Sequence, residues 1–181
     1  ERDCYLKVFP MNASLETMQL WEPDGFMLSN GPGDPAAMPE VVETIKNILN
    51  TDYPVFGICL GHQVLSWAVG LSTYKMHNGH RGINHPVLNL TTGKGEITSQ
   101  NHGFVVDKKQ AEQIDEIEIT HVHLNDGTLA GIKLKNKKVY SVQYHPEASA
   151  GPHDSRYLFD EFIQNISAFV EEKSIDAATS K

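Results

Sequence analysis

Pro54-Val55-Phe56-Gly57-Ile58-Cys59-Leu60-Gly61-His62-Gln63 is the stretch whose reading decides the fold. Its apolar first half reads as a buried strand, and the pattern from His62 to Val69, closed by Gly70, reads as a helix. Between them, Gly57-Ile58-Cys59-Leu60-Gly61 has the layout of a nucleophile elbow, with Cys at the tip of the strand-to-helix turn. A residue on so tight a turn needs neighbours two positions away that are small enough for strand and helix to pass closely. The sulfur then lies at a helix N-terminus, whose partial positive charge favours an anion. A Cys buried on a core strand fits the same short motif, so the motif alone leaves both readings open.

Working outward, Tyr5–Phe9 reads as a strand ended by Pro10, and Ser14–Leu20 as a short helix with Ser14 as N-cap and Leu15 and Met18 facing inward. The turn signal Glu22-Pro23-Asp24-Gly25 leads into a strand over Phe26–Ser29. Pro39–Leu49 carries Val41, Val42, Ile45, Ile48 and Leu49 on one helical face. With the strand Val55–Gly57 and the helix Gly61–Val69, this alternation argues for a parallel sheet covered by helices. After Gly70 the character changes. Thr73–Met76, Pro86–Leu90, Glu96–Gln100, Phe104–Val106, Ile117–Thr120, Ala130–Leu134 and Val139–Tyr144 are short, β-rich and separated by Gly, Asn and Asp turns. A last helix is expected near Ser155–Val170, followed by a frayed polar tail. The expected fold class is α/β: a doubly wound mixed or parallel sheet with flanking helices, plus a smaller antiparallel β portion. One domain over residues 1–172 and a tail over 173–181 are expected.

The totals narrow the function. Net charge is −8 with no basic run longer than Lys137-Lys138, which argues against a nucleic-acid surface. No stretch approaches the roughly 20 apolar residues of a membrane span. Two cysteines, Cys4 and Cys59, make no disulfide framework, so a reducing compartment is expected. No signal peptide is visible, although the chain starts at Glu1 and a leader ahead of it stays open.

Two further stretches could carry chemistry. Asn30-Gly31-Pro32-Gly33 follows the end of a strand, where α/β sheets bind ligands, and its glycines can turn backbone N–H groups toward an oxyanion. A plain Gly-Pro turn is the blander alternative. In His145-Pro146-Glu147, Pro146 keeps His145 extended, so His145 and Glu147 project to the same side. A carboxylate beside an imidazole sets its tautomer and raises its basicity. His-Pro-Glu alone is weak; an elbow, a donor loop and His-x-Glu in one chain are far more specific. His77, His80, His121 and His123 invite a metal reading, but without a dense carboxylate cluster or spare thiols no catalytic metal is expected. His62 reads as shaping the helix start, Asp107-Lys108-Lys109 and Glu116 and Glu118 as solvated charges, and Cys4 as an inert edge residue.

Ser29–Pro35, Phe56–Gln63 and His145–Glu147 together resemble class I, triad-type glutamine amidotransferases. Gly79–Val87, Thr98–Phe104, Leu124–Gly131 and His145–Phe159 with Gly151-Pro152-His153-Asp154 narrow the resemblance to the glutaminase domain of carbamoyl-phosphate synthetase small subunits. The resemblance covers about residues 4–170. It implies that Cys59 attacks the glutamine amide to form a γ-glutamyl thioester, that His145 moves the proton, and that Glu147 holds His145. It implies oxyanion donors at Leu60 and at Gly31 and Gly33, and a glutamine site that includes Gln63, Asn101, Gly103 and Phe104. It further implies that the partner is a large synthetase subunit and the substrate L-glutamine, with no nucleic acid or membrane. No cofactor is implied in this chain, since ATP, Mg and bicarbonate are used by the partner. The pathways implied are arginine and pyrimidine biosynthesis, and the compartment is the cytoplasm. The family's domain begins one strand and one helix before residue 1, with a serine used in glutamine binding, so the chain reads as a fragment. Competing readings are a stand-alone γ-glutamyl hydrolase or amidase, the subunit of another class I amidotransferase, a non-catalytic relative, and a flavodoxin-like binding domain.

Overall fold

The computed structural model describes residues 2–148 and 153–179. In chain order the elements are α1 (Leu15–Gln19), β1 (Phe26–Leu28), a 3₁₀ turn (Pro35–Ala37), α2 (Pro39–Leu49), β2 (Val55–Ile58), α3 (Leu60–Ala68), β3 (Thr73–Asn89), β4 (Lys94–Val106), α4 (Lys108–Ala111), β5 (Ile117–His123), β6 (Leu129–Leu134), β7 (Val139–Val142) and α5 (Tyr157–Thr179). Seven strands join one sheet in the order β1-β2-β7-β6-β5-β3-β4. β1, β2 and β7 pair in parallel, and the pairs from β7 through β6, β5 and β3 to β4 are antiparallel. The expected antiparallel portion is thus continuous with the parallel one.

Strand period places the core on both faces. Val55 of β2 and Val139 of β7 pack toward Met18, Ile45, Ile48, Val64 and Leu65 of α1, α2 and α3. Phe56, Tyr140 and Val142 pack toward Leu158 and Phe162 of α5. The Phe56 and Tyr140 rings stack with centroids 4.6 Å apart, and the Tyr140 hydroxyl donates to the Leu158 carbonyl. Local chemistry sets the helix starts. Ser14 Oγ accepts from Thr17 N at 3.2 Å, and Pro39 opens α2, where a missing N–H costs nothing.

Four expectations are corrected. Tyr5–Phe9 is not a strand: an extended segment becomes one only when a sheet edge receives its backbone, and none of the described strands pairs with it, leaving Tyr5, Leu6 and Val8 exposed. β3 and β4 are single long strands, because the Gly/Asn signals near His80 and Gly82 mark register shifts instead of turns. Asp107 is more than a solvated charge. Its carboxylate accepts from Lys109 N and Gln110 N, capping the unforeseen α4. Finally, α5 continues to Thr179, since residues 173–179 hold no Gly or Pro to stop it and Lys138 reaches Glu172 at 2.8 Å. Ser180 and Lys181 of the expected tail, like Gly151 and Pro152, lie outside the described residues. Among the described residues no helix is long and apolar enough to cross a membrane.

Candidate active site

Cys59 sits between β2 and α3 at φ 52°, ψ −102°, a conformation that L-residues rarely adopt. Its N–H donates to the Val142 carbonyl of β7 at 2.9 Å, which anchors the turn to the sheet. The flanking glycines leave no alternative. A Cβ on Gly61 would stand 2.0 Å from the Leu28 carbonyl oxygen, and one on Gly57 would stand 2.9 Å from the Gly61 backbone. The spacing Gly-x-Cys-x-Gly is therefore a statement about backbone clearance, and it brings strand, turn and helix close enough to hold the sulfur in place. Cys59 is only 5% exposed.

β7 delivers the second group. Beyond Val142 the chain runs alongside β4, where His145 N donates to the Ser99 carbonyl at 2.9 Å. Glu147 Oε1 accepts from His145 Nδ1 at 2.7 Å, which fixes a hydrogen on Nδ1 and leaves Nε2 as the nitrogen that exchanges a proton with Cys59. Nε2 is buried and makes no regular hydrogen bond, yet the Cys59 side chain lies close enough to act on it. Contact with Cys59 first, then with Glu147, raises the His145 pKa to about 10 against the opposing effect of burial. A contact looser than a formed hydrogen bond is common in unliganded sites.

β4 and the donor loop complete the surroundings. The Asn101 carbonyl lies 4.0 Å from Cys59 Sγ. Gly31 lies against Leu60, the first residue of α3: a Cβ on it would stand 3.3 Å from Leu60 Cδ2. Gly33, at φ 136°, packs against Met38 instead, and Asp34 accepts from Ala36 N at 3.0 Å to turn the chain away. Gln63 is buried, and its Nε2 donates to the Phe104 carbonyl and to Gln143 Oε1, each at 3.0 Å. Gly103 and Phe104 continue β4 beside Asn101. Cys59, His145, Glu147 and Asn101 thus come together, with Gln63 and Phe104 joined to them through Gln143, while Gly31 adjoins Leu60 and Gly33 packs on Met38.

Gln143 is the residue that the sequence reading missed. It is 1% exposed, accepts from Gln63, and places its Nε2 3.7 Å from Cys59 Sγ. The available signal was a Gln at the end of an otherwise apolar strand, since a buried amide needs partners. His62 is fully buried, with Nδ1 2.8 Å from Ser141 Oγ; burial first, then His102 and His121, lower its pKa to about 3. A neutral, enclosed imidazole shapes the helix start and is unsuited to act as a base. Elsewhere, His80, His123 and Asp126 bring ligand-type atoms within 4.8 Å of one another.

A thiol on a strained turn, an imidazole with a fixed tautomer, a carboxylate behind it and backbone N–H groups at a helix start are the parts that acyl transfer requires.

The class-I glutamine amidotransferase family matches residues 1–165. The carbamoyl phosphate synthase small chain of Bacillus cereus is 52% identical over 172 residues, covering 95% of this chain and 47% of that protein. The small chain of Fusobacterium nucleatum is 52% identical over 165 residues, covering 91% of this chain and 46% of that protein. The chain therefore spans about half the length of the curated relatives it matches. Among solved structures, a GMP synthase protein of Thermoplasma acidophilum superposes with a TM-score of 0.77 at 22% identity, covering 93% of this chain and 84% of that one. A glutamine amidotransferase of Thermotoga maritima superposes at 0.59 and 23% identity, covering 86% and 67%. These two likenesses bear on the fold, and the family match extends it to descent: the chain belongs to the class-I glutamine amidotransferases.

Proposed function

We propose that this chain is the glutaminase part of a carbamoyl-phosphate synthetase small subunit, releasing ammonia from L-glutamine for a synthetase partner. The observation that carries the chemistry is Cys59 on its strained elbow beside a His145 that Glu147 orients. The identity of the product rests on the relatives named carbamoyl phosphate synthase small chain.

In this reading the Cys59 proton rests on His145 Nε2, as the raised His145 pKa favours, and the Cys59 thiolate adds to the side-chain carbonyl carbon of glutamine. Negative charge gathers on the carbonyl oxygen, where the Leu60 N–H and the Gly31–Gly33 loop would donate. The intermediate collapses as His145 protonates the departing nitrogen, giving ammonia and a γ-glutamyl thioester. Water, deprotonated by His145, then hydrolyses the thioester to glutamate and restores the thiol. Glu147 acts through His145. Asn101, Gly103 and Phe104 would hold glutamine from β4, with Gln63 fixing the Phe104 carbonyl from behind. Gln143 steadies both Gln63 and the sulfur. The large subunit would supply the chemistry of ATP, Mg and bicarbonate, and the cytoplasm is the compartment in which this supply line fits a free thiol.

Ammonia release from glutamine by the complete small subunit, with and without the large one, tests the reading. Slow release by itself that rises sharply with partner, ATP and bicarbonate is expected. Fast release indifferent to the partner would replace it with a free hydrolase. Cys59→Ser is expected to abolish release while leaving the circular dichroism spectrum unchanged; activity at the parental level would sink the mechanism.

A further inference from the structure

A histidine cluster lies in the antiparallel part of the sheet, where β3, β4 and β5 meet the turn after β5. His80 and His123 stack with centroids 4.0 Å apart, and His85, His102 and Asp126 surround them. The hydrogen-bond pattern fixes where the hydrogens sit. The Asn125 N–H donates to His123 Nδ1 at 3.2 Å, so Nδ1 carries a lone pair and the ring hydrogen is on Nε2, 3.1 Å from His85 Nδ1. Thr98 commits its hydroxyl hydrogen to the His85 carbonyl at 2.8 Å, so it can only accept from the Gln100 amide nitrogen. That orientation turns Gln100 Oε1 toward His80 Nδ1 at 3.2 Å, so the hydrogen of a neutral His80 sits on Nδ1. His80 Nε2 is then a bare lone pair facing Asp126 Oδ2 at 2.8 Å.

His80 Nδ1 also lies 3.3 Å from His102 Nε2, so its hydrogen is shared between that nitrogen and Gln100 Oε1. With neutral rings, His80 Nε2 against Asp126 is a contact between two acceptors. So is His102 Nε2 against Gln100 Oε1 at 2.9 Å, because His102 Nδ1 must donate to the Phe104 carbonyl at 2.7 Å. His80 Nε2 and His123 Nδ1, the latter accepting from Asn125 N–H, lie 2.8 and 3.4 Å from the Asp126 carboxylate oxygens, and each ring is held through its other nitrogen, by Gln100 and by His85. Asp126 is itself oriented by the Thr128 N–H and hydroxyl at 3.1 and 2.8 Å. Ligands held in this way by outer partners are what metal sites require.

We infer that His80 Nε2, His123 Nδ1 and an Asp126 carboxylate oxygen form a binding site for a divalent transition-metal ion of the zinc type. Two imidazole nitrogens and one carboxylate suit such an ion better than magnesium or calcium, which take oxygen shells. The three ligand-type atoms lie within 4.8 Å of one another, and since the two rings stack at 15°, closing them on one ion requires one ring to turn out of the stack. Asn125 is an exposed residue, so water can take up its N–H when the ion claims the His123 lone pair. His80 and Asp126 line a cleft of about 430 Å³ that also holds Met76 and His77, which gives the ion a way in and leaves room for a further ligand. The site is separate from the Cys59 centre and does not depend on whether the chain hydrolyses glutamine.

The test titrates Zn²⁺ alone into the full chain carrying Cys4→Ser and Cys59→Ser, in competition with a chromophoric chelator. One ion per chain is expected. Asp126→Asn and His123→Ser are each expected to weaken binding by about 100-fold or more, the high end of what even outer partners contribute. Absence of saturable binding, or binding undiminished by both substitutions, overturns the inference and leaves a proton between His80 and Asp126. Co²⁺ loaded into the same protein, with neither site residue changed, guards against variants that fail to fold. Visible d–d bands of low-coordinate cobalt with nitrogen and oxygen ligands are expected, and a spectrum of hexaaquo cobalt only would equally overturn it.

Discussion

The parallel and antiparallel halves of the sheet hold their polar groups by different means. Around β2 and α3, position is enforced by backbone clearance: Gly57 and Gly61 admit no side chain, and Cys59 is driven to positive φ. Around β3, β4 and β5 it is enforced by side-chain hydrogen bonds among buried His80, Gln100, His102, Thr98 and His123. The first arrangement rests on steric clearance. The second depends on which nitrogens carry hydrogens. The halves meet at Gln63, which ties α3 to the Phe104 carbonyl of β4 and to Gln143 beyond β7.

Acid should strain the antiparallel half through His102 and His121 and the parallel half through His62. Burial is the leading cause that lowers the pKa of His62 to about 3 and of His102 and His121 to about 4, so these rings are neutral when folded. Because their folded pKa values lie below the ordinary 6.5, the unfolded chain binds more protons, and stability falls as pH drops from about 6.5 toward 4. His145 has the opposite sign. Its pKa of about 10 gives stability fully present below 6.5 and lost as pH rises through about 10. Urea unfolding from pH 4 to 10 should show both limbs, with unfolding outright near the acid end, and His145→Ala should flatten the alkaline limb alone. A flat acid limb would show that the buried histidines are already charged in the folded chain.

For activity, His145→Ala should lower glutamine hydrolysis by about 10²–10⁴-fold with KM little changed, the usual contribution of a positioned acid–base group. Glu147→Gln should lower it less, because Nδ1 keeps a partner. Equal losses in both variants would mean that Glu147 does more than orient the ring. Gly61→Ala should destabilise by about 3 kcal/mol or more, since the collision is with the Leu28 carbonyl and no flexible side chain can yield. A parental urea midpoint for this variant would disprove the clearance argument. The smallest effect lies at the margin of the antiparallel half. Asp107→Ala should cost about 1 kcal/mol through loss of the α4 cap, visible as a small fall in melting temperature. A loss several times larger would tie Asp107 to more than that turn.

How much was legible follows the same division. α2 was read to its ends because Pro39 opens it and four buried positions repeat at helical spacing. The elbow was legible because the two glycines and the Cys satisfy a local steric rule. β3 and β4 were read as fragments because Gly and Asn signal a bulge and a turn alike, and only the pairing partner distinguishes them. Tyr5–Phe9 has strand-like residues, and no described strand received it.

By itself the sequence determined the α/β alternation, the elbow at Cys59 and the pairing of His145 with Glu147, because each is set within a few residues by sterics, spacing or proline. Only the tertiary structure decided that Gln143 stands beside the sulfur, that His62 is sealed neutral behind Ser141, and that His80, His123 and Asp126 share one corner. Those placements depend on strands far apart in the chain lying side by side. The hydrogen-bond partners and the burial that fix a buried ring's protonation exist only once they do.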